Sequence, residues 1–142
     1  TRMERLTMKN CLARLLLGGL LVLGCGVEQP DFIWPDNRLS ENEHFIVSLN
    51  PRGNGAQVGL NLYELEVQDP QRERVSGASI RLELWMPDHG HGSDRTPVVR
   101  SDEAGGYIVE NVVYTMPGRW SWTVFIETRS NTDVIEWGID VI

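Results

Sequence analysis

From His44 onward the sequence predicts an all-β domain, an immunoglobulin-like β-sandwich of about seven strands, and three observations predict it. No stretch of that region spaces its apolar residues as a helix longer than a turn or two requires. Short runs of alternating apolar and polar residues recur instead, separated by Gly, Pro, Asn and Asp. Seven such runs follow one another, with turn signals roughly every 8–15 residues, the rhythm of a sandwich of short antiparallel strands. A closed barrel would satisfy the same rhythm.

The first element is not part of that domain. Arg2, Arg5, Lys9 and Arg14 precede the apolar run Leu15–Leu23, which is followed by Gly24 and Cys25. A basic region, an apolar region and a small residue before a cleavage point describe a secretory signal, expected over residues 1–24 as a helix. The run is far shorter than the roughly 20 apolar residues that span a bilayer. Val22-Leu23-Gly24-Cys25 looks like a bacterial lipobox, in which the cysteine is acylated and becomes the new N-terminus. A start at Met8 would give a compact signal. Gly26 is not the aspartate that retains such proteins at the inner membrane, so the expected location is the cell envelope, on the outer membrane where there is one, facing the periplasm.

Residues 25–42 are expected to be a lipidated N-terminus and tether, with two prolines, several acids and little periodicity. Phe32, Ile33 and Trp34 depart from that composition and are read as able to dock on the domain edge. The strands then follow, within a domain taken as 43–142, over residues 44–49, 58–67, 78–86, 98–101, 107–113, 119–127 and 134–141. The run 78–86 alternates most clearly, with Ala78, Ile80, Leu82, Leu84 and Met86 on one face and Ser79, Arg81, Glu83 and Trp85 on the other. One face is therefore buried and one wet. Trp120, Trp122, Val124 and Ile126 repeat the pattern, as do Ile135, Trp137, Ile139 and Val141.

Charge narrows the function. The chain carries a net charge of −7, and beyond the signal it has nine arginines, no lysine and nineteen acids. Such a surface repels phosphate backbones and anionic headgroups, which argues against nucleic-acid partners and against electrostatic membrane binding. Acyl chains, not charge, would hold it to a membrane. The only cysteines are Cys11, within the signal, and Cys25. No disulfide or thiolate metal site is expected.

The residues that could carry chemistry are few. Ser93 and Asp94 lie near His91, but no G-x-S-x-G frames them, and serine and aspartate beside glycine are ordinary turn residues. Gly53-Asn54-Gly55 and Gly105-Gly106 lack the following helix that a phosphate-binding loop needs. An enzyme is not expected. What remains is Met86-Pro87-Asp88-His89-Gly90-His91-Gly92, together with a second methionine–proline pair at Met116-Pro117. Thioether sulfur is a soft ligand suited to Cu(I), and imidazole suits copper and zinc, so a mixed set of His91, His89, Met86 and Met116 leans towards copper. Two histidines one residue apart share a side of an extended segment, and flanking glycines let the backbone bend to bring them together. His44 is a further ligand only if another strand delivers it, and is read as a strand-edge histidine.

A purely structural reading stands beside this one. Met86 is on the buried phase of its strand and Met116 precedes a proline, so both fit a core. The hairpin is then a turn that happens to contain imidazoles. Converging side chains would favour metal, whereas imidazoles parting into solvent would favour a scaffold. Trp85, on the polar phase, would be a stacking platform or interface anchor if exposed. The expectation is that a loop or the 32–34 segment covers it.

The spacing of Ala78, Ile80, Met86-Pro87, Gly90-His91-Gly92, Gly106-Tyr107 and Met116-Pro117-Gly118-Arg119-Trp120 resembles the YtkA-like domain family and its FixH-type relatives over roughly residues 43–127. The resemblance implies an immunoglobulin-like fold and a secreted or membrane-tethered bacterial protein, and some relatives are associated with copper handling or with assembly of copper-containing respiratory oxidases. His91, Met86 and Met116 match the family pattern directly. His89 stands where members often have methionine, which exchanges a soft donor for a harder one and would broaden a metal site towards Cu(II) or zinc. The expected function is thus a lipid-anchored, non-enzymatic binding or accessory protein, with copper held in the Met/His hairpin. The alternative is an interaction scaffold that meets an envelope protein.

Overall fold

The computed structural model describes residues 36–142 apart from residue 54. The expected signal peptide, Cys25 and the Phe32–Trp34 segment lie outside the described residues. Nine strands run in chain order: β1 (Asp36–Leu39), β2 (Ile46–Pro51), β3 (Gly59–Gln68), β4 (Ser79–Met86), β5 (His91–Gly92), β6 (Val98–Ser101), β7 (Tyr107–Tyr114), β8 (Gly118–Glu127) and β9 (Thr132–Val141). They form two sheets, ordered β1-β2-β3-β7-β6 and β5-β4-β8-β9. All pairings are antiparallel, and none joins one sheet to the other, so the fold is a sandwich and not a closed barrel.

Seven strands coincide with the predicted runs, their ends shifted by no more than two residues. β1 and β5 are additional. β1 lies inside the stretch expected as tether and pairs with β2 from Asp36 opposite Leu49 to Leu39 opposite Ile46. Its four residues show no apolar alternation, because at a sheet edge backbone pairing can form without a buried stripe. β5 is two residues long and continues β4 around a turn.

The inward phases meet in one core. Trp120, Trp122 and Trp137 from the second sheet face Tyr63, Tyr107 and Tyr114 from the first, all nearly inaccessible to solvent. Tyrosine and tryptophan need a partner for their polar ends when buried. Trp122 Nε1 donates to the Tyr114 hydroxyl at 2.8 Å, and that hydroxyl lies 3.0 Å from the Tyr63 hydroxyl. Burial pushes the Tyr63 phenol up to about 12, against the opposing effect of its Tyr114 hydrogen bond. Tyr114 is raised further, by burial first and then by Tyr63.

A second polar cluster ties the β1–β2 turn to β9. The Asp133 carboxylate is buried and accepts from Ser40 Oγ at 2.6 Å, Asn42 Nδ2 at 2.9 Å, Asn42 N at 3.1 Å and His44 N at 3.2 Å. Burial alone would raise its pKa, but the hydrogen bonds from Ser40, Val134, Asn42 and His44 outweigh it and hold the group well below the usual carboxylate range. The turn places Glu43 at φ 62°, a left-handed conformation that costs a non-glycine residue of order 1 kcal/mol or more and persists because the cluster holds it.

Trp85 is 49% exposed on the outer face of β4, so no described loop covers it, and the 32–34 segment offered as its other cover lies outside the described residues.

Candidate metal site

The hairpin after β4 is built by backbone hydrogen bonds that converge on one carbonyl. Pro87 cannot donate to the ladder, so β4 stops at Met86. The Met86 carbonyl then accepts from His89 N at 3.3 Å and Gly90 N at 2.9 Å, closing a turn in which Gly90 takes φ +68°. The chain returns as β5, with His91 opposite Met86 and Gly92 opposite Trp85. A Cβ at Gly92 would lie 2.9 Å from the Leu84 carbonyl oxygen, so only glycine lets β5 approach this closely. Cross-strand partners share a face, and the pairing therefore puts His91 on the same side as the buried Met86.

His91 is held from two directions. Its ring meets Trp120 edge-on, with centroids 5.8 Å apart. Its Nδ1 lies 2.9 Å from the Gly92 carbonyl oxygen, which can only accept, so Nδ1 carries the proton and Nε2 keeps the lone pair. His91 is partly buried and His89 exposed, and their rings stand 6.0 Å apart at an interplanar angle of 54°.

The two methionines both pack on the core. Met86 is 1% exposed, and its methyl packs so closely on Gly118 that a Cβ there would lie 2.6 Å away. Gly118 also takes φ +127°, a second reason for glycine at this position. Met116 is partly buried against the core, and its carbonyl accepts from Trp120 Nε1 at 3.1 Å. The structure thus sets Met86 and His91 opposite each other on one face, stands the His89 ring 6.0 Å from that of His91, and ties Met116 to the Trp120 indole through its backbone carbonyl. Among the described residues no three His, Cys, Asp or Glu side chains come together as a metal site, so a site here depends on sulfur.

Other candidates lie elsewhere. Ser93 Oγ donates to the Val113 carbonyl at 2.8 Å and accepts from Arg95 N, which makes it a turn residue and not a partner of His91. His44 sits at the opposite end of the sandwich, 3.4 Å from Asp133. Asp133 pairs with Ile126, six residues along β8 from Trp120, a separation of about 20 Å. His44 cannot join the hairpin.

Two contributors escaped the sequence reading. Trp120 forms a wall of the site and Gly118 makes room for the thioether. Both belong to the Met116–Trp120 motif, but their contacts are made by residues some thirty positions away in the chain.

The sequence matches the YtkA-like family over residues 42–125. A comparison with curated proteins gives no match. Among solved structures, the as-isolated FetP of uropathogenic Escherichia coli strain F11, recombinantly expressed in the periplasm of E. coli, is similar with a TM-score of 0.52 and 11% identity, over 68% of this chain and 87% of that one. A copper-bound variant of FetP gives a TM-score of 0.49 and 12% identity, over 74% and 91% of the two chains. At this identity the first likeness shows a shared fold. The family match spans more than half of the sequence and takes in both methionine–proline motifs: the chain belongs to the YtkA-like family.

Proposed function

We propose that the protein is a non-enzymatic copper-binding accessory module of the cell envelope, tethered through an acylated Cys25. One observation carries the copper reading. The antiparallel pairing of Met86 with His91 sets a thioether and an imidazole on one face, and the Gly92 carbonyl fixes the imidazole so that Nε2 is the free donor. One soft sulfur and one borderline nitrogen fit Cu(I), and His89 at the turn supplies a second nitrogen that would let the site accept Cu(II). Met116 is the second sulfur. A hydrogen bond to the non-ligating ring nitrogen is the usual device for orienting a metal-binding histidine.

Titration of the chain with Cu(I) and Cu(II) against a competing chelator tests this. His91→Ala and Met86→Leu are each expected to weaken Cu(I) binding about tenfold or more. Wild-type binding no tighter than micromolar, or binding unchanged by His91→Ala, refutes the copper reading.

A scaffold function has one observation in its favour, the half-exposed Trp85 beside Gly92 on the same hairpin. An exposed tryptophan is a common anchor for a protein partner. An envelope partner lost on Trp85→Ala, with copper affinity intact, would establish that role separately.

A further inference from the structure

The outer face of the sheet formed by β4, β8 and β9 leaves one aromatic ring open, and the strand register explains why. Trp85 is opposite Ser121, and Ser121 is opposite Gly138; on its other side Trp85 is opposite Gly92. Cross-strand partners share a face, so the row across the sheet is Gly92, Trp85, Ser121, Gly138: one indole among three residues too small to cover it. Phe125, the other aromatic on this face, is covered, because the Arg81 guanidinium lies 3.8 Å from its ring centroid and pairs with Glu83. Among the described tryptophans, tyrosines and phenylalanines, only Trp85 is exposed.

A hollow of about 370 Å³ opens beside this row, lined by Pro87 and Asp88 from the hairpin, Arg119 and Ser121 from β8, and Glu136 and Gly138 from β9. Gly138 makes room for one wall, since a Cβ there would collide with the Arg119 guanidinium. That guanidinium is paired with Asp140 at 3.2 Å. The side chains of Asp88, Ser121 and Glu136, in contrast, have no partner among the described residues. On the opposite sheet outward charges pair with one another, Arg52 with Glu64, Arg74 with Glu66 and Arg100 with Glu110.

An open indole beside uncommitted carboxylates and a hydroxyl suits a sugar. The C–H groups on one face of a pyranose ring are slightly positive and meet the negative face of an indole, while its hydroxyls donate to carboxylates around the edge. The core of a protein interface is depleted of charge, whereas this hollow keeps two unpaired carboxylates. Those carboxylates also repel an anionic ligand. Strands about 4.8 Å apart set Gly138 about 10 Å from Trp85, which is room for two linked pyranose rings.

We infer that this face binds a glycan of uncharged or amine-bearing pyranose units, one ring stacked on Trp85 and the next held through its hydroxyls by Asp88, Ser121 and Glu136. None of these residues is a candidate copper ligand, so the site stands apart from the copper reading.

Saturation-transfer NMR on the full chain tests the inference, with soluble oligomers of glucosamine, N-acetylglucosamine and galacturonic acid as probes. The first two are expected to bind, with transfer strongest to ring C–H protons, and the anionic third is not. Trp85→Ala is expected to weaken binding about tenfold. Asp88→Asn combined with Glu136→Gln, both at exposed positions, should weaken it several-fold with the thermal midpoint unchanged. Binding of neither of the first two probes, equal binding of the galacturonic oligomer, or an affinity untouched by Trp85→Ala would overturn the inference. An envelope protein that requires Trp85 while no sugar binds would assign the face to a protein and overturn it as well.

Discussion

Asp133 and Gly118 show how much can rest on one residue. Asp133→Asn keeps the shape but loses the charge that five donors surround, and such hydrogen bonds to a buried carboxylate contribute about 1.5–3 kcal/mol each when mutated. A loss of about 2–3 kcal/mol is expected at pH 7, read as a lower urea midpoint. Because the folded-state pKa is depressed, the wild type holds this stability above the ordinary carboxylate range and loses it as pH falls from about 4 downwards. Asp133→Asn should show a flatter profile there. Tyr63 has the opposite sign: its pKa is raised to about 12, so its contribution is intact below pH 10 and is lost as pH climbs towards 12. Gly118→Ala places a methyl against Met86 in a left-handed conformation. Displacement of the thioether is expected to weaken Cu(I) binding about tenfold while the fold loses about 1–3 kcal/mol. Chelator competition and thermal melts on the same sample separate the two effects.

At the level of elements, alternation made seven strands legible, because a strand with one buried face writes period two into its residues. Met86, in phase with Leu82 and Leu84, could be read as core for the same reason. β1 and β5 could not be read so. β1 is Asp-Asn-Arg-Leu, and its pairing with Val47 and Ser48 is decided at the sheet edge, not by an apolar stripe. β5 exists because Met86 O is satisfied by the turn and Gly92 admits close approach, neither of which has periodicity. The hairpin motif was visible as residues, whereas the edge-on packing of His91 on Trp120 was not, since it joins β5 to β8 through β4. Gly92→Ala should push β5 away from Leu84 and dissolve that packing. The His91 ring protons, shifted by the Trp120 ring current, would then move towards random-coil positions in an NMR spectrum. Unmoved resonances would show that β5 does not depend on this glycine.

On the scale of the whole molecule, an acidic, lysine-free domain follows a sequence with the features of a lipoprotein signal. Cys25→Ala should abolish incorporation of labelled fatty acid and release the protein from the membrane fraction; label retained in the variant would refute acylation at that residue. Such an anchor also gives the Asp133 cluster a mechanical meaning. With a lipid at Cys25, drag on the domain enters the fold through β1, the first described strand, and its four residue pairs with β2 offer little resistance alone. The load then reaches the Ser40–His44 turn, where the Asp133 carboxylate clamps the chain to β9. Two sheets would share the pull, and the clamp would act as a strain relief, like the knot that keeps a tugged cord from parting at its plug.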